Sequence, residues 1–177
     1  MPDYNRFGEI VTAVPSLRNE AWLIGFDAKG WPLVNWDENI KNGDENGFDL
    51  NCALEEFELP IGSRIMRYGK EQGLFSSPIG TKYECLALPY TIDSIMYNEY
   101  EVIRPLLVKR RRCAGYPIQK GIVAEGFGAV GGGIQYKHHE PILTSFKKHF
   151  LRKLEVSEWS INPETREACS KQTSSTR

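Results

Sequence analysis

Gln135 and Tyr136 stand directly behind three consecutive glycines, Gly131, Gly132 and Gly133, in the segment GFGAVGGGIQY at 126–136. Glycine lacks a Cβ, so backbone there can approach a ligand or take a positive φ at little steric cost. A carboxamide and an aromatic ring placed just after such a run can be presented at the floor of a cleft. The same pattern fits a tight bend that lets a strand pass its neighbour. Gln135 offers a donor and an acceptor together, so its amide can orient a hydroxyl or a water without supplying charge. Metal chemistry has little support. Cys52, Cys85, Cys113 and Cys169 form no CxxC pair, and the histidines His138, His139 and His149 have no ligand spacing with cysteine or carboxylate. The expectation is scattered reduced thiols and three surface histidines flanking the last helix.

These residues need a scaffold, and 177 residues suffice for one domain with a real core. The net charge of −1 gives no global attraction to nucleic acid or anionic membrane. No apolar run is long enough to span a bilayer. No basic n-region followed by an apolar stretch opens the chain, so the default expectation is a cytoplasmic protein. Residues 1–47 read as a Trp- and Gly-rich flank packing on the core, with KNGDENG at 41–47 as a loop. Residues 48–160 read as the main domain. SRIMRYG at 63–69 alternates with period two. SSPIGTKYECLALP at 76–89 reads as turn, strand and stop, and 97–108 as a long strand interrupted near Pro105. Residues 109–121 read as a basic polar loop. Ile142, Leu143, Phe146, Phe150 and Leu154 recur at spacings of three and four, which predicts a helix from Pro141 to about Trp159. The polar tail 161–177 is expected to be disordered.

Several fragments then arrive in a fixed order: GWP at 30–32, NGF at 46–48, LPIGSRIMRYG at 59–69, GLFSSPIGT at 73–81, LALP at 86–89, YEVIRPL at 100–106, FG at 127–128 and GGGIQY at 131–136. That series resembles the tuberculosis necrotizing toxin domain, a family of NAD-cleaving glycohydrolases. The resemblance implies a compact α+β domain on a twisted antiparallel sheet, with short flanking helices and a C-terminal helix. It implies hydrolysis of NAD to ADP-ribose and nicotinamide, with NAD as substrate, no cofactor and no catalytic metal. It also implies an immunity protein as partner, and a secreted or delivered protein, should the chain belong to a toxin. Two positions depart from the family pattern. Leu86 replaces an arginine, and Asn98 stands where many members carry histidine.

The implied site has Gln135, Arg67 and Glu125 as catalytic residues. Tyr68, Phe75, Phe127, Gly131, Gly132, Gly133 and Arg104 join Arg67 in holding the substrate. A guanidinium at Arg67 can take the pyrophosphate with two parallel charge-assisted bonds. Glu125 can bind the ribose hydroxyls, and Phe75 and Phe127 can wall the nicotinamide. The basic run 109–112, Arg64 and Arg104 are candidates to compensate for Leu86, with Arg104 preferred to Arg64 because alternation turns Arg64 away from Arg67. Nicotinamide departs as a neutral molecule and needs no proton, so the paired carboxylates of ordinary glycosidases are not required. Cyclic ADP-ribose is the alternative product, if the adenine nitrogen attacks before water. An impaired NAD- or ADP-ribose-binding module is the other alternative.

Overall fold

Residues 2–12, 14–105, 107–108, 111–112 and 115–160 are described by a computed structural model of the chain. Its frame is a sheet of seven strands: β1 (Glu55–Pro60), β2 (Arg64–Tyr68), β3 (Phe75–Pro78), β4 (Tyr97–Val102), β5 (Gly115–Ile122), β6 (Ile134–Lys137) and β7 (Leu151–Lys153). They lie in the order β7-β4-β2-β3-β6-β5-β1, and every neighbouring pair is antiparallel. Two short α-helices, α1 (Trp36–Asn39) and α2 (Ile142–Lys147), flank it. The architecture is α+β, as the fragments imply.

Both faces of the sheet are covered, unlike those antiparallel sheets that leave one face in water. Alternation along β2 sends Ile65 and Arg67 to one side and Met66 and Tyr68 to the other. On the Ile65 side, Leu59, Tyr100, Tyr116, Ile118 and Tyr136 pack under Ile142 of α2. On the Met66 side, Tyr68, Leu86, Tyr97, Leu154 and Trp159 form a second cluster, and Tyr4, Leu17 and Trp31 of the N-terminal segment pack against it. Double coverage explains why β4 is buried at nearly every position.

The N-terminal segment holds short elements: a hairpin of Leu23–Phe26 with Pro32–Val34, then α1, whose N-cap Asn35 accepts a hydrogen bond from the Glu38 amide at 3.2 Å. Arg18 ties it to the core. Its Nη2 donates to the carbonyls of Leu88 and Phe127, both at 2.7 Å, while its plane lies over Trp22.

Four expectations from the sequence change. The segment after Pro141 is helical only to Lys147, because His149 takes φ +60° and the chain turns back. Leu151–Lys153 then pairs with β4 as β7, and Leu151 is 1% exposed. Pairing satisfies backbone groups that β4 would otherwise leave open at the sheet edge. The segment 80–89 is not a strand. It forms a 3₁₀ turn at Tyr83–Leu86, ended by Ala87 at φ +50°. The supposed loop 109–121 contains the longest strand of the sheet, β5, whose alternating Tyr116 and Ile118 are buried while basic and glycine residues mask the pattern. Lys109 and Arg110 of the basic run, and the tail 161–177, lie outside the described residues. Cys85 is disulfide-bonded and Cys52 is free, so the expectation of reduced thiols fails at Cys85. Among the described residues, no helix is long and apolar enough to cross a membrane.

Candidate active site

A small pocket of about 40 Å³, open to solvent on one side, is lined by Met66, Arg67, Tyr68, Phe75, Ser76, Ser77, Leu86, Leu88 and Gln135. Strands β2, β3 and β6 form its floor. The 3₁₀ turn Tyr83–Leu86 and the following Leu88 form a wall. Arg67 and Gln135 both border this pocket although they are far apart in the chain; the register sets Gln135 across from Ser77 on the Met66 face, whereas the Arg67 side chain leaves β2 on the opposite face.

Gln135 lies on β6 opposite Gly121 of β5. A Cβ at Gly121 would stand 2.5 Å from Phe48 and from Leu54. The bare backbone at 121 therefore leaves room for the Phe48 ring beside Gln135. Phe48 meets Phe75 edge to face, with centroids 6.3 Å apart. The Gln135 Nε2 donates to the Asn46 carbonyl at 3.3 Å. A carbonyl only accepts, so this contact points the amide nitrogen at Asn46 and leaves Oε1 to face elsewhere.

Arg67 is more committed than the sequence suggests. Its Nε donates to the Lys70 carbonyl at 2.7 Å and its Nη1 to the Phe75 carbonyl at 2.8 Å. A Cβ at Gly73 would lie 1.8 Å from Nη2. The guanidinium is thus a plug that closes the β2–β3 turn, and Gly73 is glycine because the plug fills the space. Burial lowers the Arg67 pKa to about 10, opposed by the nearby Tyr100, Tyr90 and Glu71. It stays charged at neutral pH. Nη2 makes no hydrogen bond among the described residues.

Other residues singled out in the sequence stand elsewhere. Glu125 sits on a two-residue strand paired with Ile40–Lys41, and its carboxylate meets Lys41 Nζ at 3.1 Å. Phe127 is 1% exposed at φ +49°, held edge-on between Trp22 at 5.2 Å and Trp36 at 5.0 Å. It anchors the N-terminal segment and does not line this pocket. Arg104 donates to the carbonyls of Lys148 and His149 and lies over Phe150, so it closes the end of α2. The three glycines lie against their own chain. A Cβ at Gly131, whose φ is +65°, would be 2.5 Å from the Ala124 carbonyl oxygen. The Gly132 amide donates to Val123 and the Gly133 amide to Cys85. The close approach that glycine permits is spent on packing here.

His138 also corrects an expectation, since it is 2% exposed. Its Nε2 shares a 2.6 Å hydrogen bond with Ser76 Oγ, and its Nδ1 has no hydrogen-bond partner among the described residues. Burial, then the charge of Arg67, lowers its pKa to about 3. The folded value lies below the ordinary 6.5, so the unfolded chain binds the extra proton as pH falls. His138 therefore contributes stability that is whole above about pH 6.5 and is lost progressively toward pH 3. The limiting slope is about 1.4 kcal/mol per pH unit. His138→Gln is expected to flatten this limb in urea melts between pH 6.5 and 5. An unchanged slope would remove His138 as its source. Sequence reading missed Met66, Ser76, Ser77 and Leu88, whose only signal was their place within the matched fragments.

The chain matches the family described as Tuberculosis necrotizing toxin over residues 58–154. It is 29% identical over 125 residues to a conidial surface nicotinamide adenine dinucleotide glycohydrolase of Aspergillus fumigatus. That match covers 64% of this chain and 49% of the relative, so the chain spans about half the relative's length. Among solved structures, tuberculosis necrotizing toxin complexed with its immunity factor is similar, with TM-score 0.53 at 19% identity, covering 85% of this chain and 75% of the other. This likeness speaks for the fold. The family match takes in more than half of the chain and includes Arg67, Tyr68, Phe75 and Gln135. The chain therefore belongs to the tuberculosis necrotizing toxin family.

Proposed function

We propose that this protein cleaves the nicotinamide–ribose bond of NAD and passes the ribosyl group to water, giving nicotinamide and ADP-ribose. One observation carries the reading: Arg67, Tyr68, Phe75 and Gln135 line a single pocket with aromatic and aliphatic walls. Water adds to C1′, the C–N bond breaks, and its electron pair returns to the pyridine nitrogen. One proton is released from the water. The leaving group is already neutral on departure, so neither a general acid nor a metal is assigned. The protein's task is to exclude bulk water and stabilise the cation-like sugar as it forms. Phe75 and Leu86 wall the ring. Gln135 turns its free Oε1 toward the sugar or the attacking water. Nη2 of Arg67 supplies donors for a phosphate oxygen. The pocket, about 40 Å³, takes only an edge of the nicotinamide nucleoside end, with the rest of the dinucleotide lying along the open side. Glu125, Phe127 and Arg104 receive no role in this step.

Incubating the purified protein with NAD and separating the products by chromatography tests the proposal. Nicotinamide with ADP-ribose is the expected result. Cyclic ADP-ribose would assign cyclisation, and thermal stabilisation by NAD without turnover would assign a binding module. An immunity protein is the proposed partner if turnover harms the producing cell. Leu86 is 8% exposed and faces the pocket. Leu86→Arg should therefore change the KM for NAD severalfold by adding a phosphate donor. An unchanged KM would mean that position 86 does not face the dinucleotide.

A further inference from the structure

We propose that Ser77 is a substrate-binding residue, its hydroxyl holding a ribose hydroxyl at the nicotinamide end beside Gln135. The inference rests on the NAD-cleaving reading and extends it. Strand alternation separates the two serines of β3. Ser76 turns toward Tyr136 and His138 and hydrogen-bonds the imidazole at 2.6 Å. Ser77 pairs with Met66 and so shares the opposite face, where Met66, Tyr68 and Leu86 cluster beside the pocket. The Tyr136–Ser76 pairing, continued by one residue, sets Gln135 across from Ser77. Ser77 is 4% exposed, yet its Oγ has no hydrogen-bond partner among the described residues.

The residue is largely buried, but its hydroxyl oxygen is not sealed from solvent and has capacity left for a ligand. Ser77 lines the pocket, which is where a ligand can reach that hydroxyl. Gln135 Oε1 is an acceptor, and the Ser77 hydroxyl can donate and accept. Side by side they match a sugar hydroxyl, which donates one hydrogen bond and accepts others. The nicotinamide ring offers no hydroxyl, which assigns the pair to the ribose.

Kinetics and melting of Ser77→Ala test this. Methyl for hydroxymethyl removes the hydroxyl and leaves the strand intact. The expected result is a fall of at least about tenfold in kcat/KM for NAD, corresponding to about 1.4 kcal/mol. The melting temperature should be no lower than wild type, because no protein hydrogen bond is lost. With NAD analogues deoxygenated at the 2′ or 3′ position of the nicotinamide ribose, the penalty should vanish for one of the two. Wild-type kinetics would overturn the proposal. So would a lowered melting temperature alongside the lost activity, since the hydroxyl would then serve the fold. A penalty persisting with both analogues would overturn the ribose contact. If wild type binds NAD without turning it over, the cleavage reading fails alone, and calorimetry of NAD binding to Ser77→Ala decides the contact: weaker binding supports it and equal binding overturns it. Wild type that neither binds nor cleaves NAD removes both.

Discussion

Replacing Gln135 by alanine is expected to lower nicotinamide release from NAD by at least about tenfold, some 1.4 kcal/mol in the barrier, with little change in melting temperature. The two effects separate because of how the side chain is held. Gln135 has one long hydrogen bond to protein, 3.3 Å to the Asn46 carbonyl, at a partly buried position. Such a bond is worth only about 0.5–1.5 kcal/mol net. Backbone pairing with Gly121 and the neighbouring strand register do not depend on the side chain. Gln135 lines the pocket, and the amide's remaining capacity is left for a substrate there, where a neutral acceptor can stabilise the developing cation without trapping it. Gln135→Glu is the informative companion. Its carboxylate cannot donate to Asn46, so it loses the anchor that aims the group. Turnover at wild-type rate in purified Gln135→Ala would exclude this residue from the mechanism.

Arg67→Ala should damage both turnover and stability. Sequence alone suggests a clamp whose removal leaves the fold intact. The structure changes that, because the Lys70 and Phe75 carbonyls would lose their charged donor and the β2–β3 turn would lose its plug. The Lys70 carbonyl would keep only the Gly73 amide, and that loss, the Phe75 carbonyl's lost donor and a void in the turn together cost on the order of 3 kcal/mol. Gly73→Ala should reproduce much of this without touching the arginine, since its Cβ would stand 2.2 Å from Cζ and force the guanidinium out. Thermal melts and turnover per folded molecule check both variants. If Arg67→Ala melts like wild type, the anchoring role is wrong. If it melts lower but the folded fraction turns over normally, Arg67 serves the turn and not the substrate. Arg67→Lys keeps a charge but cannot make two bonds in one plane, and should fall between the two.

Parts of this protein are legible in the chain itself. Period-two alternation marks β2, and Pro141 marks the start of α2. The ordered fragments carry family and fold, and four of the residues they point to line one pocket. These features are local, or are short words in a fixed order, and each can be read without knowing its neighbours in space. What the tertiary structure alone decides is which faces and partners these words receive. Apolar spacing of three and four at 142–154 fits a helix as well as it fits a short helix followed by a strand. Only the open edge of β4 selects the second. Adjacent residues Ser76 and Ser77 are the same amino acid, yet register against β2 and β6 sends one to an imidazole and the other to the pocket. His138 is polar in the sequence and buried in the fold because Ser76 and Tyr116 surround it from other strands. Arg67 plugs a turn because Gly73 and two carbonyls happen to close around it. The chemistry of each side chain is written in the chain, but its accessibility and hydrogen-bond partners come from strands distant in sequence, and no local pattern encodes which of them will meet.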